Sequence, residues 1–224
     1  MVKIDLITGF LGSGKTTFLK KYAKRLMEQG QNIGILENDF GAVNVDMMLL
    51  QELEGEQCEL EMISGGCDPE THRRRFRTKL IAMGMCGYDR VLVEPSGIYD
   101  MDEFFDVLHE EPLDQWYEIG NVIAVVDARL EDTLSPEAEY LLASQAANAG
   151  CMILSKCDTA TEEQRQNTIA HLKRSLAALG CKQRADQKIL CEGAEPLPDQ
   201  EFAAILSCGY YTVSYTHLTL PTKA

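Results

Sequence analysis

Long apolar runs and positive charge are both scarce in this sequence of 224 residues. The longest apolar stretches, such as 121–128, have the length of a strand and are far shorter than the roughly 20 residues that cross a membrane. Lys and Arg total 21 against 35 for Asp and Glu, which gives a net charge of −14. We therefore expect no binding to nucleic acid or to a membrane, and any site for an anion must be built locally.

Paired cysteine spacings, flexible linkers and internal repeats are also missing. The eight cysteines are scattered and no secretory leader opens the chain, so we expect reduced thiols and a cytoplasmic location. A hydrophobic content of 45% is typical of a folded domain and not of a disordered or collagen-like chain. Only 192–200, which contains two prolines, has the composition of a boundary loop.

The end of the chain has a pattern of its own. Residues 213–222 back-translate into DNA that resembles a transposon adaptor used in sequencing libraries. A genuine strand is the alternative, because the segment is rich in β-branched and aromatic residues. We predict a single domain over 1–212, cut short near Thr212, followed by a non-native tail over 213–224.

Segments with strand periodicity alternate with segments of helical periodicity along the rest of the chain. The predicted strands are 3–8, 32–36, 59–63, 89–94, 121–126, 151–154 and 188–191. The predicted helices are 16–29, 71–83, a segment that Ser135 and Pro136 open and Gly150 closes, and 161–179. Such alternation requires right-handed crossovers, so we predict an α/β fold with a mainly parallel sheet and helices on both faces.

A glycine-rich motif directly follows the first predicted strand. Residues 9–17 read GFLGSGKTT, which contains the complete P-loop pattern G-x-x-x-x-G-K-[ST] between a strand and a helix. The glycines let the backbone wrap around phosphate oxygens, Lys15 adds a positive charge, and the Thr16 hydroxyl is a ligand for Mg²⁺. The predicted nucleotide-binding residues of this loop are Gly9, Gly12, Ser13, Gly14, Lys15, Thr16 and Thr17.

Two further predicted strands end in acids. Glu94 would face the Mg²⁺ site, and Gly97 could turn its N–H toward a γ-phosphate, so 94–97 is a candidate nucleotide-state switch. A strand that merely ends in an exposed Glu is the simpler alternative. Asp39 is the second predicted Mg²⁺ contact, although an Asn-Asp turn without chemistry fits the same residues.

The segment Ser155-Lys156-Cys157-Asp158 matches the guanine-reading pattern N-K-x-D with Ser in place of Asn. The carboxylate of Asp158 can accept hydrogen bonds from N1–H and the 2-amino group of guanine, whereas adenine would leave it unpaired. Lys156 would lie along the base through its aliphatic stem. A match this short also arises by chance, and its place after a buried strand favours the guanine interpretation.

These motifs together resemble the CobW/HypB/UreG group of GTPases, and most closely its CobW-like branch. The matching segments are 8–17, 37–41, 94–97, 126–128 and 155–158. The resemblance covers most of the chain up to about Cys191. It implies a slow GTPase that uses GTP and Mg²⁺ and delivers or inserts zinc, cobalt or nickel. It also implies a metal-receiving client protein or a homodimer, and a smaller C-terminal domain. In these roles Lys15, Thr16 and Glu94 are the predicted catalytic residues.

One departure concerns the transition-metal site. CobW-like proteins typically carry G-C-x-C-C after the third strand, and here Gly66-Cys67-Asp68-Pro69-Glu70 keeps only the first thiol. A tetrahedral Zn²⁺ site needs four ligands, so Cys67 requires additional ones. Glu37 is the first candidate, and Asp68, Glu70, His72 or a second subunit could complete the set. A single free cysteine in a loop is the alternative.

Two other functions fit part of the pattern. A P-loop kinase for a small metabolite shares the glycine loop but needs an acceptor pocket, and Ser155 to Asp158 argues against it. A metal-binding regulatory module could carry a nucleotide site that is only structural. Elsewhere, His109 and His171 are predicted surface residues, and the basic run 72–77 a solvated helix face.

Overall fold

One parallel sheet of seven strands organises the computed structural model, which describes residues 1–39, 45–64, 69–96, 101–181, 188–192 and 196–212. The strands are β1 (Val2–Thr8), β2 (Ile33–Asp39), β3 (Cys58–Ser64), β4 (Arg90–Glu94), β5 (Tyr117–Asp127), β6 (Cys151–Ser155) and β7 (Lys188–Cys191). Their order across the sheet is β3-β2-β4-β1-β5-β6-β7, and every neighbouring pair is parallel. The predicted fold class is confirmed, and each predicted strand is present.

Helices cover both faces of this sheet. They are α1 (Lys15–Glu28), α2 (Val45–Leu50), α3 (Pro69–Gly84), α4 (Met101–Leu108), α5 (Leu113–Trp116), α6 (Pro136–Asn148), α7 (Glu162–Ala178) and α8 (Asp199–Leu206), with a 3-10 turn over Gln51–Leu53. Buried side chains of α1 and α8 pack on one face, and those of α3, α4, α6 and α7 pack on the other. Among the described residues, no helix combines the length and apolarity that a membrane span requires.

Strand β4 shows why a strand that is covered on both faces has a continuous run of apolar residues. Val91 and Val93 pack in the core beneath α3 and α4, whereas Leu92 between them packs in the core beneath α1. All three side chains are buried because both faces of a parallel sheet are covered. Each contributes about 1.5–3 kcal/mol by leaving water. The continuous apolar sequence of β4 therefore indicates burial on both faces of the sheet. A strand with one face in solvent would instead alternate apolar and polar residues.

Four helices were not predicted from the sequence, namely α2, α4, α5 and α8. The last one corrects the proposed boundary loop 192–200, because Asp199 and Gln200 are the first residues of α8. Leu197, Phe202 and Ile205 are buried in the same core as α1, so this segment continues the domain. The predicted tail 213–224 lies outside the described residues.

Two predicted surface features also differ in the structure. His171 is 3% exposed instead of lying on the surface, because α7 packs on α6 and its Nε2 lies 2.8 Å from Glu139 Oε2. In the basic run, His72 and Phe76 turn inward on one side of α3, and Phe76 packs near Phe104. His109 is exposed, as predicted.

A buried polar network links the middle of β1 to its neighbours. The Asp5 carboxylate accepts hydrogen bonds from the Tyr22 hydroxyl at 2.8 Å, from the Asn121 N–H at 2.8 Å and from the Arg90 guanidinium. Burial, and next the Asp5 charge, raise the pKa of Tyr22, which keeps its hydroxyl protonated as a donor. Asn121 Oδ1 accepts from the Gly209 N–H at 2.9 Å. The network therefore ties together β1, β4, β5, α1 and the chain after α8.

We predict that Asp5→Asn lowers the free energy of unfolding by about 3 kcal/mol, because it leaves the buried Arg90 charge without its partner. Urea denaturation followed by circular dichroism measures the change. Glu52→Gln is the control, since Glu52 pairs with Lys20 and Lys24 in solvent and should alter stability little. Equal effects of the two substitutions would contradict the assignment of Asp5 as a central structural contact.

Candidate functional site

The glycine-rich loop joins the end of β1 to the start of α1. Its backbone has positive φ at Gly9 (147°) and at Gly14 (93°), which immediately precedes α1. A Cβ on Gly9 would lie 2.2 Å from the Val125 carbonyl oxygen, and one on Gly14 would lie 3.2 Å from Ser155 Cβ. Glycine is therefore required where the loop passes closest to β5 and to the end of β6.

Two groups inside this loop have the character of a phosphate site. Lys15 is buried, and its ammonium lies 3.1 Å from the Phe10 carbonyl oxygen across the loop. The Ser13 hydroxyl is buried without a hydrogen-bond partner in the described part of the chain. A buried hydroxyl of this kind, beside a cation and the N-terminus of α1, fits a bound anionic oxygen.

The side chains of Thr16 and Glu94 meet beside the loop. Thr16 Oγ1 donates a hydrogen bond to Glu94 Oε1 at 2.8 Å, and both residues are buried. Hydroxyl and carboxylate oxygens are the ligands that Mg²⁺ prefers, and this spacing allows both to touch one ion. The structure thus brings together two of the three predicted Mg²⁺ residues. Asp39 ends β2, and its side chain lies outside the described residues, as does Gly97.

The predicted transition-metal residues are only partly described. Glu37 is 2% exposed and lies beside Glu94 in the register of β2 and β4. His72 Nδ1 lies 3.0 Å from Glu103 Oε1, and Glu70 is exposed. Cys67 and Asp68 lie outside the described residues. Within the described residues, no three His, Cys, Asp or Glu side chains are grouped to hold a metal.

The segment after β6 is fastened to the glycine-rich loop. The Ser155 hydroxyl donates to the Ser13 carbonyl oxygen, and Lys156 Nζ donates to the Gly12 carbonyl oxygen at 2.7 Å. Lys156 Nζ also lies 2.7 Å from Asp127 Oδ2. Lys156 has φ of 57°, a left-handed conformation that these contacts hold in place. Ser155 and Lys156, two predicted base-site residues, therefore also hold the glycine-rich loop in its conformation.

Asp127 is a functional candidate that had no predicted role of its own. It ends β5, beside Ser155 in the register of β6. Burial alone would raise its pKa, but hydrogen bonds from Arg129 and Lys156 outweigh this and lower the pKa of Asp127 to about 2. Its carboxylate is therefore ionised at neutral pH and holds Lys156 in position.

The glycine-rich loop, called the phosphate loop below, and the predicted base site share one pocket of about 350 Å³. The predicted residues that line it are Gly14, Thr17, Ser155, Lys156 and Asp158. Lys21 and Glu192 line it as well and were not predicted. Glu192 directly follows β7, so the rule that ligands bind at the carboxyl ends of parallel strands could have identified it. A cavity this size is appropriate for a small planar ligand.

Comparison with known proteins identifies the family. A model of the CobW/HypB/UreG nucleotide-binding domain matches residues 3–182. The chain belongs to the CobW/HypB/UreG family. The resemblance inferred from the glycine-rich, Glu94 and Asp158 segments is thereby confirmed.

Two curated relatives are zinc chaperones from Escherichia coli (strain K12). YjiA is 29% identical over 172 residues, which cover 73% of this chain and 52% of YjiA. YeiR is 29% identical over 167 residues, which cover 74% of this chain and 50% of YeiR. This CobW/HypB/UreG chain therefore spans about half the length of the curated relatives it matches.

Solved structures of the family have the same fold. Zn(II)-bound YjiA GTPase from E. coli has a TM-score of 0.53 at 20% identity, with 100% of this chain and 67% of that chain covered. HypB from Helicobacter pylori in complex with nickel has a TM-score of 0.55 at 17% identity, with 91% and 83% covered. At these identities the likeness concerns the fold alone.

We predict that Gly9→Ala greatly weakens nucleotide binding, because the new methyl group would collide with the Val125 carbonyl and push the loop off β5. Gly12→Ala is the matched control. Gly12 also has positive φ (75°), but a Cβ there meets no atom within 4 Å, so only backbone strain of about 1–2 kcal/mol is added. Calorimetric titration with GDP and thermal unfolding compare the variants. Equal losses in both would show that loop strain, and not the contact with β5, controls binding.

Proposed function

We propose that this chain is a guanine-nucleotide-binding domain that hydrolyses GTP with Mg²⁺ and couples hydrolysis to the delivery or insertion of a transition metal. The observation that carries the proposal is the shared pocket, in which Gly14 and Thr17 of the phosphate loop face Asp158. The remaining roles follow from the contacts of individual side chains.

Asp158 supports the choice of guanine. Its side chain is exposed where it lines the pocket. It lies two positions after Lys156, whose ammonium is hydrogen-bonded to the Gly12 carbonyl oxygen. An ionised carboxylate accepts hydrogen bonds from both N1–H and the 2-amino group of guanine, and adenine offers neither. A base held by Asp158 would place its phosphates toward Gly14 and the N-terminus of α1. The pocket therefore supports a nucleoside phosphate whose base is guanine.

The phosphate end supports hydrolysis. Backbone N–H groups of the loop and the Lys15 ammonium would hold the phosphate oxygens and offset their charge. Thr16 and Glu94 would hold Mg²⁺, which supplies further stabilisation of the negative charge that develops during phosphoryl transfer. No glutamine that orients water and no arginine finger is assigned from the sequence. We therefore expect slow intrinsic turnover that a client protein or dimerisation stimulates.

Coupling to a transition metal is supported by the position of Glu37. It lies in β2 directly beside Glu94 in β4, and the two strands are paired over residues 33–37 and 90–94. A change at Glu94 on loss of the γ-phosphate would therefore act on an immediate neighbour of the proposed metal residue. Zinc is the first metal to test, because relatives are named zinc chaperones. Nickel and cobalt are alternatives that the family resemblance offers.

Nucleotide titration and phosphate release test the core of this proposal. We predict tight binding of GDP, negligible binding of ADP, and slow Mg²⁺-dependent release of phosphate from GTP. Asp158→Asn should weaken GDP binding by about 10–100-fold and favour the xanthine nucleotide, because an amide can donate to the 2-oxo group of xanthine. Asp114→Asn, an exposed acid at the opposite end of the sheet, is the matched control and should change neither quantity.

Other outcomes of this experiment identify the rival functions. Preference for ADP, together with transfer of phosphate to a small metabolite, would show that the chain is a kinase and not a GTPase. GTP binding without turnover, in the presence and absence of Zn²⁺, would indicate a regulatory module with a structural nucleotide site.

We predict that Zn²⁺ affinity differs between the complex with GDP and the complex with a non-hydrolysable GTP analogue, because Glu94 and Glu37 are neighbours. Competition with a chromogenic chelator measures both affinities. Cys67→Ser should weaken Zn²⁺ binding, and Cys86→Ser, which removes an exposed thiol, should leave it unchanged. Identical Zn²⁺ affinity in the two nucleotide states would contradict the coupling.

A further inference from the structure

A largely buried ion pair forms part of the wall of the proposed nucleotide pocket. Lys21 projects from α1, one turn beyond the phosphate loop, and its Nζ lies 2.7 Å from Glu192 Oε1. The side chains are only 18% and 6% exposed, respectively, and both residues line the same cavity as Asp158. The exposed pair of Lys24 with Glu52, also formed by a residue of α1, does not line this cavity. The Lys21–Glu192 pair is therefore placed where it can contact a base.

The backbone of Glu192 is fixed on both sides. Its N–H donates to the Leu154 carbonyl oxygen at 2.7 Å, and its carbonyl oxygen accepts from the Cys157 N–H at 3.1 Å. These contacts join the end of β7 to the segment that carries Lys156 and Asp158. Glu192 is therefore a rigid anchor for the Lys21 ammonium.

The pocket needs a donor for one edge of guanine. Asp158 can satisfy N1–H and the 2-amino group, but the 6-oxo group of guanine is an acceptor. The Ser155 hydroxyl already donates to the Ser13 carbonyl oxygen, and Lys156 Nζ contacts Gly12 and Asp127. Among the described side chains that line the cavity, Lys21 is the other cation, and Glu192 holds it in place.

We propose that Lys21, positioned by Glu192, donates a hydrogen bond to the 6-oxo group of the purine and so selects guanine over adenine. This inference rests on the proposed guanine-nucleotide function. It adds Lys21 to Asp158 as a second residue that recognises the base. Adenine carries an amine at position 6, which would set donor against donor beside the Lys21 ammonium.

Other charged groups surround the pair. Burial raises the pKa of Glu192, while the hydrogen bond and charge of Lys21 act in the opposite direction. Nearby Asp158 and Glu201 also raise the pKa of Glu192. The Lys21 ammonium therefore lies beside Glu192, with the carboxylates of Asp158 and Glu201 nearby.

Binding of GDP, 6-thio-GDP and ADP to the full chain tests the inference. The thio analogue keeps both groups that face Asp158 but replaces the 6-oxo oxygen by a weaker acceptor. We expect the wild type to bind GDP roughly tenfold more tightly than 6-thio-GDP, which is the scale of one charge-assisted hydrogen bond. Lys21→Met should weaken GDP binding by about tenfold and abolish the preference over 6-thio-GDP. It should also narrow the difference between GDP and ADP binding. Lys21→Arg should retain the preference.

Two further variants make the result decisive. Lys21→Met leaves the Glu192 carboxylate without its cation and could destabilise the protein. The double variant Lys21→Met/Glu192→Gln removes both charges, so it provides the test if the single variant does not fold. Lys24→Met, on the exposed side of α1, is the matched control and should behave as wild type. A preference for GDP over 6-thio-GDP that survives in the folded double variant would overturn the role of Lys21 and leave the proposed function intact. Failure of the wild type to bind guanine nucleotides at all would instead overturn the proposed function.

Discussion

The candidate site depends on the hydrogen bonds that fasten the segment after β6 to the glycine-rich loop. Lys156 Nζ contacts the Gly12 carbonyl oxygen and the Ser155 hydroxyl contacts the Ser13 carbonyl oxygen, although these segments lie more than a hundred residues apart in sequence. Left-handed backbone at Lys156 costs about 1–2 kcal/mol, and the contacts of its ammonium offset that cost. The distance between the glycine-rich loop and the predicted base site is consequently set by direct hydrogen bonds and not by the sheet alone.

Local charge at the site contrasts with the acidity of the whole protein. Lys15, Lys21 and Lys156 surround the loop and pocket, within a chain of net charge −14. Lys21 and Lys156 are each held by a carboxylate, Glu192 and Asp127 respectively. Such pairing offsets part of the charge and fixes the position of each ammonium as a hydrogen-bond donor. Attraction of phosphate is therefore short-ranged, as the scarcity of basic residues requires.

The sequence was sufficient to locate the strands, their mainly parallel arrangement and the residues that carry motifs, but it did not predict the order of the strands. Apolar runs predicted central strands such as β4, because burial on two faces leaves a strong signal, and the glycine-rich segment predicted the turn before α1. Helix α8 was missed because Pro196 and Pro198 suggested a loop, whereas Phe202 and Ile205 pack against the core beneath α1. Lys21 and Glu192 were missed because their pairing joins α1 to the end of β7 across the fold. No local pattern reports a contact of that kind.

Adjacent strands supply a direct route between the nucleotide and the proposed metal residue. Glu94 contacts Thr16 on one side and lies beside Glu37 on the other, and all three are buried. Two buried carboxylates on neighbouring strands repel one another unless cations or protons compensate them. Mg²⁺ held by Thr16 and Glu94 would relieve that repulsion and so alter the affinity of Glu37 for a second cation. Coupling would then follow from electrostatics between neighbouring side chains, and a large movement of the domain is not required.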